Sequence, residues 1–269
     1  MARQSYLLDN AWARGRARLD AVEEFLDPGT IHALSRHVLP HGGVRAGWRC
    51  LEVGAGGGSI AHWLAERAGA GGCVVATDID TIYLDARAAS SGFEARRHDI
   101  ARDPLPTGAY DLIHTRLVLE HIPERDAVLA ALAEALRPGG WLVVEAVDYA
   151  SALPVSALGA DEHARSQSLR LREFEAAGAK TDYGRHVPAA MRALGLVNVE
   201  NEARAYVMRG GSAGARWFAL SMEQLRGRLT GPGKLTDAEI DAMLGFFDNP
   251  DWAAISPMIV ASWGQRRAD

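Results

Sequence analysis

Hydrophobic residues recur along this chain in two alternating rhythms. Near-continuous apolar runs at 48–53, 73–78, 110–115 and 141–146 predict strands buried on both faces. A weaker run at 93–98 reads as a shorter strand in the same series. Between these runs apolar positions recur every three or four residues, at 59–67, 81–89 and 124–136, and predict helices. Two further strands are expected at 197–207 and 257–263, with a helix at 187–194 before the first of them. Strands alternating with helices imply an α/β architecture: a doubly wound, seven-stranded, mostly parallel sheet covered on both faces.

The flanking segments follow the helical rhythm alone. From 5 to 38, Leu7, Leu8, Ala11, Leu19, Val22, Leu26, Ile31, Leu34 and Val38 form an interrupted stripe. Pro28-Gly29 breaks it, so two or three short helices are expected. Residues 151–180 read as helices of an insertion. Residues 211–250 read as a second one, whose clearest helix starts at the capping box Thr236 to Glu239. The chain therefore divides into a helical N-terminal cap (1–40), a core (41–150), a helical insertion (151–180), the core continued (181–210), a helical lid (211–255) and a last core strand (256–269).

Composition narrows the function classes. At 269 residues the chain is long enough for one large core with appended helices. The net charge is −5 and the basic residues are scattered, so no basic stripe points to nucleic acid. The first residues lack the apolar run of a signal peptide, and nowhere do ~18 uncharged apolar residues run together. A soluble, cytoplasmic protein without nucleic-acid or membrane partners is expected, and a homodimer remains open. Cys50 and Cys73 both fall in predicted buried strands and lack the spacing of a zinc site, so they read as core residues of a reducing compartment. The histidines are dispersed and no metal is expected.

The most informative stretch is Glu52-Val53-Gly54-Ala55-Gly56-Gly57-Gly58, where a predicted strand runs into a glycine-rich turn and then a helix. Glycines there permit positive φ and close approach of a ligand to the backbone, and the new helix offers free N–H groups. Glu52 suits a cationic group and would repel a pyrophosphate. The dinucleotide fingerprint G-x-G-x-x-G fails, because the sixth position from Gly54 is Ser59. The stretch resembles the E/D-x-G-x-G-x-G motif of class I S-adenosylmethionine-dependent methyltransferases, which have a Rossmann-like fold.

That resemblance is carried further by an ordered set of motifs over 45–148. Asp78 ends the second strand, 20 residues past Gly58, where a carboxylate can accept both hydroxyls of a ribose. Ile79 beside it would pack on the adenine. Asp99-Ile100 follows the third strand, and the resemblance implies contacts to the adenine amino group and ring. Thr115-Arg116 ends the fourth strand, where the family holds the methionine ammonium by a backbone carbonyl. Leu136-Arg137-Pro138-Gly139-Gly140 resembles the family's turn before the fifth strand. With Glu52, Gly54, Ala55 and Gly56, these residues form the expected S-adenosylmethionine site.

Methyl transfer from a sulfonium needs a nucleophile held close to the methyl carbon in a dry site. His121, just after the fourth strand, is the candidate base, with pocket shaping as its other reading. Glu145, expected at the end of the fifth strand, is a candidate for orienting an acceptor or for pairing with a neighbour. Tyr6, Tyr149, Tyr183 and His186 are weaker candidates around the acceptor. Trp217 and Phe218, with Met222, Phe246, Phe247 and Trp252, read either as lid core or as lining for an apolar or aromatic acceptor. The expected activity is methylation of a small apolar or aromatic molecule, such as a natural-product intermediate. Two other readings stay open: an S-adenosylmethionine-binding enzyme with another reaction, such as a cyclisation, and a non-catalytic cofactor-binding partner subunit.

Overall fold

The computed structural model of the chain describes residues 6–37 and 43–268. Parts of the N-terminal expectation, Val38 among them, lie outside the described residues. The main sheet has seven strands in the order β3-β2-β1-β4-β5-β10-β7. They are β1 (Arg49–Val53), β2 (Cys73–Asp78), β3 (Glu94–Arg97), β4 (Tyr110–Arg116), β5 (Leu136–Asp148), β7 (Val197–Arg204) and β10 (Met258–Gln265). The first five pair in parallel, and β10 runs antiparallel to both β5 and β7. The doubly wound, mostly parallel sheet expected from the apolar pattern is present.

Alternation along each strand sorts side chains onto two faces. On one face Leu51, Val53, Ile113 and Val144 pack with α4 (Arg125–Ala135) and α6 (Val187–Ala193). On the other, Cys50, Leu112 and Val143 pack with α2 (Ser59–Ala68), α3 (Ile82–Ser91) and the residues that end the N-terminal helix. Glu52, His114 and Glu145 share this second face. They sit among apolar neighbours and form a polar row across the sheet.

The helix α1 (Gly15–His32) is continuous through Pro28, against the expected break. Tertiary contacts hold its last turn: Thr30 donates to the Glu145 carboxylate and Arg204 donates to the Gly29 carbonyl. These bonds offset the backbone hydrogen bond that proline removes. The outer helices α5 (Ala160–Ala176), α7 (Ala213–Leu229) and α8 (Asp237–Asp248) pack with α1 into a second apolar core. Trp217, Phe218, Met222, Phe247 and Trp252 are buried there, with Phe246 packed against them.

Three short strands were not expected. β6 (Leu153–Pro154), β8 (Val207–Arg209) and β9 (Ala253–Ile255) form a small antiparallel sheet. Segments of two or three residues are too short to show a period, and β8 is what remains after the expected strand at 197–207 ends early. Cys73 is also corrected: Cys50 is buried, whereas Cys73, at the open start of β2, is exposed.

Candidate active site

The carboxyl ends of β1, β2 and β4 open into a cavity of about 1170 Å³, covered by α1 and the residues before it. In the sheet order the chain leaves β1 toward β2 on one side and β4 on the other, which is where ligands bind in open α/β sheets. Gly54, Gly56 and Gly58 have φ of +68°, +56° and +82°, and Gly58 caps α2. A side chain at Gly54 would overlap Val118, and the Leu19 side chain lies 3.1 Å from where a Cβ on Gly56 would stand. The turn is glycine-rich because the backbone is left-handed and because neighbours close over it.

Glu52 stands at the floor of this cavity and is almost fully buried. Its Oε2 lies 2.7 Å from His114 Nδ1, and its other oxygen has no protein donor among the described residues. His114 Nε2 lies 3.3 Å from Glu145 Oε2. Burial alone would lower the His114 pKa, but the two carboxylates outweigh it and raise it to about 9. The imidazole is therefore charged at neutral pH and holds Glu52 in place.

Asp78 joins the strand end to the turn. Its Oδ2 accepts from Gly56 N–H at 2.8 Å and its Oδ1 from Asp80 N–H at 3.0 Å. Both oxygens keep a lone pair for a further donor, and burial raises the carboxyl pKa. Asp80 accepts from Ile82 N–H at 3.1 Å and so serves the start of α3. Ile79, Asp99 and Ile100 line the same end of the cavity, with Ile79 exposed to it. Asp99 Oδ1 accepts from Ala101 N–H at 3.1 Å, which shapes that loop. Arg116 lines the wall while its guanidinium binds Thr30 and Asp27 at 2.8 Å each. The Thr115 side chain turns away, donating to the Val53 carbonyl at 3.1 Å. Leu117, with φ +58°, is strained at the end of β4 and turns the chain toward Val118 on the cavity wall.

The other end of the cavity is built from distant segments. Tyr6, Asn10 and Arg18 reach it from the N-terminal side and His121 from the turn after β4. The Tyr6 and His121 rings meet edge to face at 5.5 Å. His121 also packs on Phe174 at 5.4 Å, and its Nε2 lies 3.4 Å from the Tyr149 hydroxyl. Burial, helped by the charge of Arg18, pushes the His121 pKa down to about 4, so its imidazole is neutral at physiological pH. A neutral buried imidazole on the wall can accept a proton.

Several expected site residues stand elsewhere. Glu145 lies inside β5 because pairing with β10 carries that strand on to Asp148. Its oxygens are taken by Thr30, His114 and Arg204, so it braces the sheet behind the cavity. Tyr149 sits behind His121, stacked on Phe174 at 5.3 Å. Tyr183 is buried under the opposite face of the sheet. His186 pairs with Asp182 at 3.0 Å on the surface. Trp217 and Phe218 face Phe25, His163 and Arg170 in the outer core, and neither lines the cavity. The aromatics that suggested an apolar acceptor are thus core residues, the other reading of their helical spacing.

Sequence reading passed over His114 and Arg18. A histidine between Leu112, Ile113 and Thr115 in a buried strand, on the face that carries Glu52, was a usable signal. Arg18 stands four residues before Val22 on the buried stripe of α1, a place where an arginine is out of pattern.

The residues fit S-adenosylmethionine: a carboxylate with an open oxygen for an ammonium, a second carboxylate at a strand end for a ribose, and an apolar-edged loop for a purine. A Rossmann-like sheet with this turn defines a class of nucleoside-binding transferase folds. Residues 8–201 match a family described as a methyltransferase domain, and the chain belongs to that family. It is 29% identical over 142 residues to methyltransferase str3 of Strobilurus tenacellus, covering 52% of this chain and 47% of that one. It is 30% identical over 138 residues to a ubiquinone biosynthesis O-methyltransferase of Marinobacter nauticus, covering 48% and 56%. The chain spans about half the length of the curated relatives it matches. In fold it is similar to phosphoethanolamine N-methyltransferase 2 of Haemonchus contortus, with a TM-score of 0.60 and 15% identity over 100% of this chain and 61% of that one. That structure holds phosphomonomethylethanolamine and S-adenosylhomocysteine. Among the described residues, no helix is long and apolar enough to cross a membrane.

Proposed function

We propose that this chain is an S-adenosylmethionine-dependent methyltransferase acting on a small organic molecule. The observation that carries the reading is Glu52: a buried carboxylate, fixed by a charged histidine and open on one oxygen, beside a left-handed glycine turn. The cavity of about 1170 Å³ also exceeds the roughly 300–1,000 Å³ of a pocket for one drug-sized ligand, which leaves room for a second molecule.

The cofactor supplies a methyl group already activated by a sulfonium. The chain's own residues do the rest. Glu52 binds the ammonium, Asp78 the ribose hydroxyls, and Asp99 with Ile79 and Ile100 the adenine. Gly54, Ala55 and Gly56 bring the backbone close, and the strand end at Thr115-Arg116 borders the amino-acid portion. Tyr6 and α1 cover the acceptor and exclude water. His121, neutral and on the wall, takes a proton from the acceptor nucleophile. Glu145 supports Glu52 through His114 and Tyr149 stands behind His121, while Tyr183, Trp217 and Phe218 are core residues.

The test is calorimetric titration with S-adenosylmethionine, S-adenosylhomocysteine and NAD, followed by turnover against a panel of small acceptors. Binding of both sulfur ligands but not NAD, with S-adenosylhomocysteine formed in step with a methylated product, is expected. NAD binding with no response to the sulfur ligands would overturn the assignment. A product formed with no S-adenosylhomocysteine would leave the binding site standing and remove methyl transfer.

A further inference from the structure

We propose that Arg18 is the receptor for a carboxylate carried by a molecule bound in the cavity. On α1, Leu19 and Glu23 form an i, i+4 row that stands over Gly56 and Gly57. Arg18 and Val22 form the adjacent row on the cavity wall, turned toward Leu8, Asn10 and Tyr6. Arg18 is only 3% exposed. Its Nη2 donates to the Leu8 carbonyl at 3.0 Å and to Asn10 Oδ1 at 2.9 Å. Both acceptors are uncharged. Nε is buried and has no hydrogen-bond partner among the described residues.

No carboxylate among the described residues forms an ion pair with Arg18, and residues 1–5, Met-Ala-Arg-Gln-Ser, contain none. Neighbouring arginines are different. Arg116 pairs with Asp27 at 2.8 Å, Arg87 with Glu23 at 2.9 Å, and Arg16 with Asp20. Asp9, also on the wall, directs Oδ1 to Ala11 N–H at 2.9 Å. A buried guanidinium held only by neutral acceptors keeps most of its desolvation penalty, and an anion beside it would offset that penalty. The planar fork of N–H donors matches a carboxylate with two parallel hydrogen bonds. His121 beside it is uncharged and does not compete.

Resting on the methyltransferase reading, two molecules can bring that carboxylate: the cofactor, through its amino-acid portion, or the acceptor. Two matched pairs of probes separate them. S-adenosylmethionine and decarboxylated S-adenosylmethionine differ only in the cofactor's carboxylate. Benzoate and benzamide, titrated into protein saturated with S-adenosylhomocysteine, differ in the acceptor's charge. In one of the pairs the wild-type protein is expected to prefer the carboxylate by about tenfold or more, and Arg18→Gln to abolish that preference while leaving the uncharged probe's affinity unchanged. Arg18→Lys, which keeps the charge but loses the fork, is expected to fall between them.

Preference in the first pair assigns the carboxylate to the cofactor, and preference in the second to the acceptor. Absence of preference in both pairs overturns the proposal on wild-type protein alone, whether or not the variants fold. Equal losses for charged and uncharged probes in Arg18→Gln would make Arg18 a structural residue and overturn it as well. A wild-type protein that binds no sulfur ligand fails the methyltransferase reading itself, a result distinct from normal binding without discrimination.

Discussion

The two ends of the cavity are built in opposite ways. At the end we propose for the nucleoside, Glu52, the glycine turn, Asp78 and Asp99 sit at or just beyond the ends of consecutive strands, and each carboxylate has a backbone or histidine partner that orients it. At the end we propose for the acceptor, Tyr6, Asn10 and Arg18 come from one segment and His121 from another more than a hundred residues later, and Tyr149 and Phe174 stand behind His121. The first end carries acids and left-handed backbone. The second carries a cation, a neutral imidazole and aromatic rings. An invariant ligand can be met by a local pattern of strand, turn and acid, whereas a variable one is met by whatever the covering helices bring.

The comparison is broken most severely at Gly54. Alanine there would have to adopt φ of +68° and would overlap Val118, which joins strain of about 1–2 kcal/mol to overpacking of a similar size. Gly54→Ala is expected to weaken S-adenosylhomocysteine by about 10²–10³-fold, measured by calorimetry, and the same strain should lower the thermal midpoint by several degrees. Wild-type affinity in this variant would show that the turn is not the nucleoside seat.

Next in size is His121, which tests the opposite end. His121→Ala is expected to lower turnover by about 10²-fold, the scale of a lost general base, while S-adenosylhomocysteine affinity stays within about threefold. Because the His121 pKa is held down to about 4, wild-type turnover should not fall on this group's account until the pH approaches that value. A small loss of turnover would make His121 a shaping residue and leave the two-ended site intact.

Asp78→Ala should cost about 2–3 kcal/mol of cofactor affinity, the scale of charge-assisted hydrogen bonds, and should loosen the turn through Gly56 as well. Asp80→Ala, which removes only the bond to Ile82 N–H, should leave affinity nearly unchanged. Equal losses at the two positions would misplace the ribose.

The same contrast explains what the sequence disclosed. The sheet, its order of strands and helices, and the nucleoside end follow from short patterns: apolar runs, a glycine turn, an acid at a strand end. Glu145 pairs with neighbours, one of its two expected readings, but it lies inside β5 and not at its end, because β10, more than a hundred residues later, prolongs that strand. Pro28 was read as a breaker because the contacts of Thr30 and Gly29 with β5 and β7 are tertiary. Trp217 and Phe218 have one helical spacing whether they face a ligand or a neighbouring helix, and only packing distinguishes the two. The small sheet of β6, β8 and β9 lies below the length at which periodicity exists.

The smallest expected effect concerns the row that ties the two ends together. Glu52 at the nucleoside end, His114, Glu145 and then Thr30 of α1 form one buried chain, and α1 also carries Arg18 to the acceptor end. The His114 pKa is raised to about 9 from an ordinary 6.5, so the folded state holds a proton that the unfolded chain releases earlier. Its contribution to stability is therefore complete below pH 6.5 and is lost as the pH climbs through about 9. Glu120, whose pKa burial raises to about 7, acts mostly below this window: its contribution falls between about 4.5 and 7. Chemical denaturation at pH 6 and pH 9 should show wild-type stability dropping by roughly 1.5–3 kcal/mol more than that of His114→Gln, which has no proton to lose. In that variant Glu52 also loses its charged partner, so S-adenosylhomocysteine should bind more weakly while 5′-methylthioadenosine, which lacks the ammonium, binds as before. Parallel pH dependence in the two proteins would mean that His114 is neutral and that Glu52 is held by geometry alone.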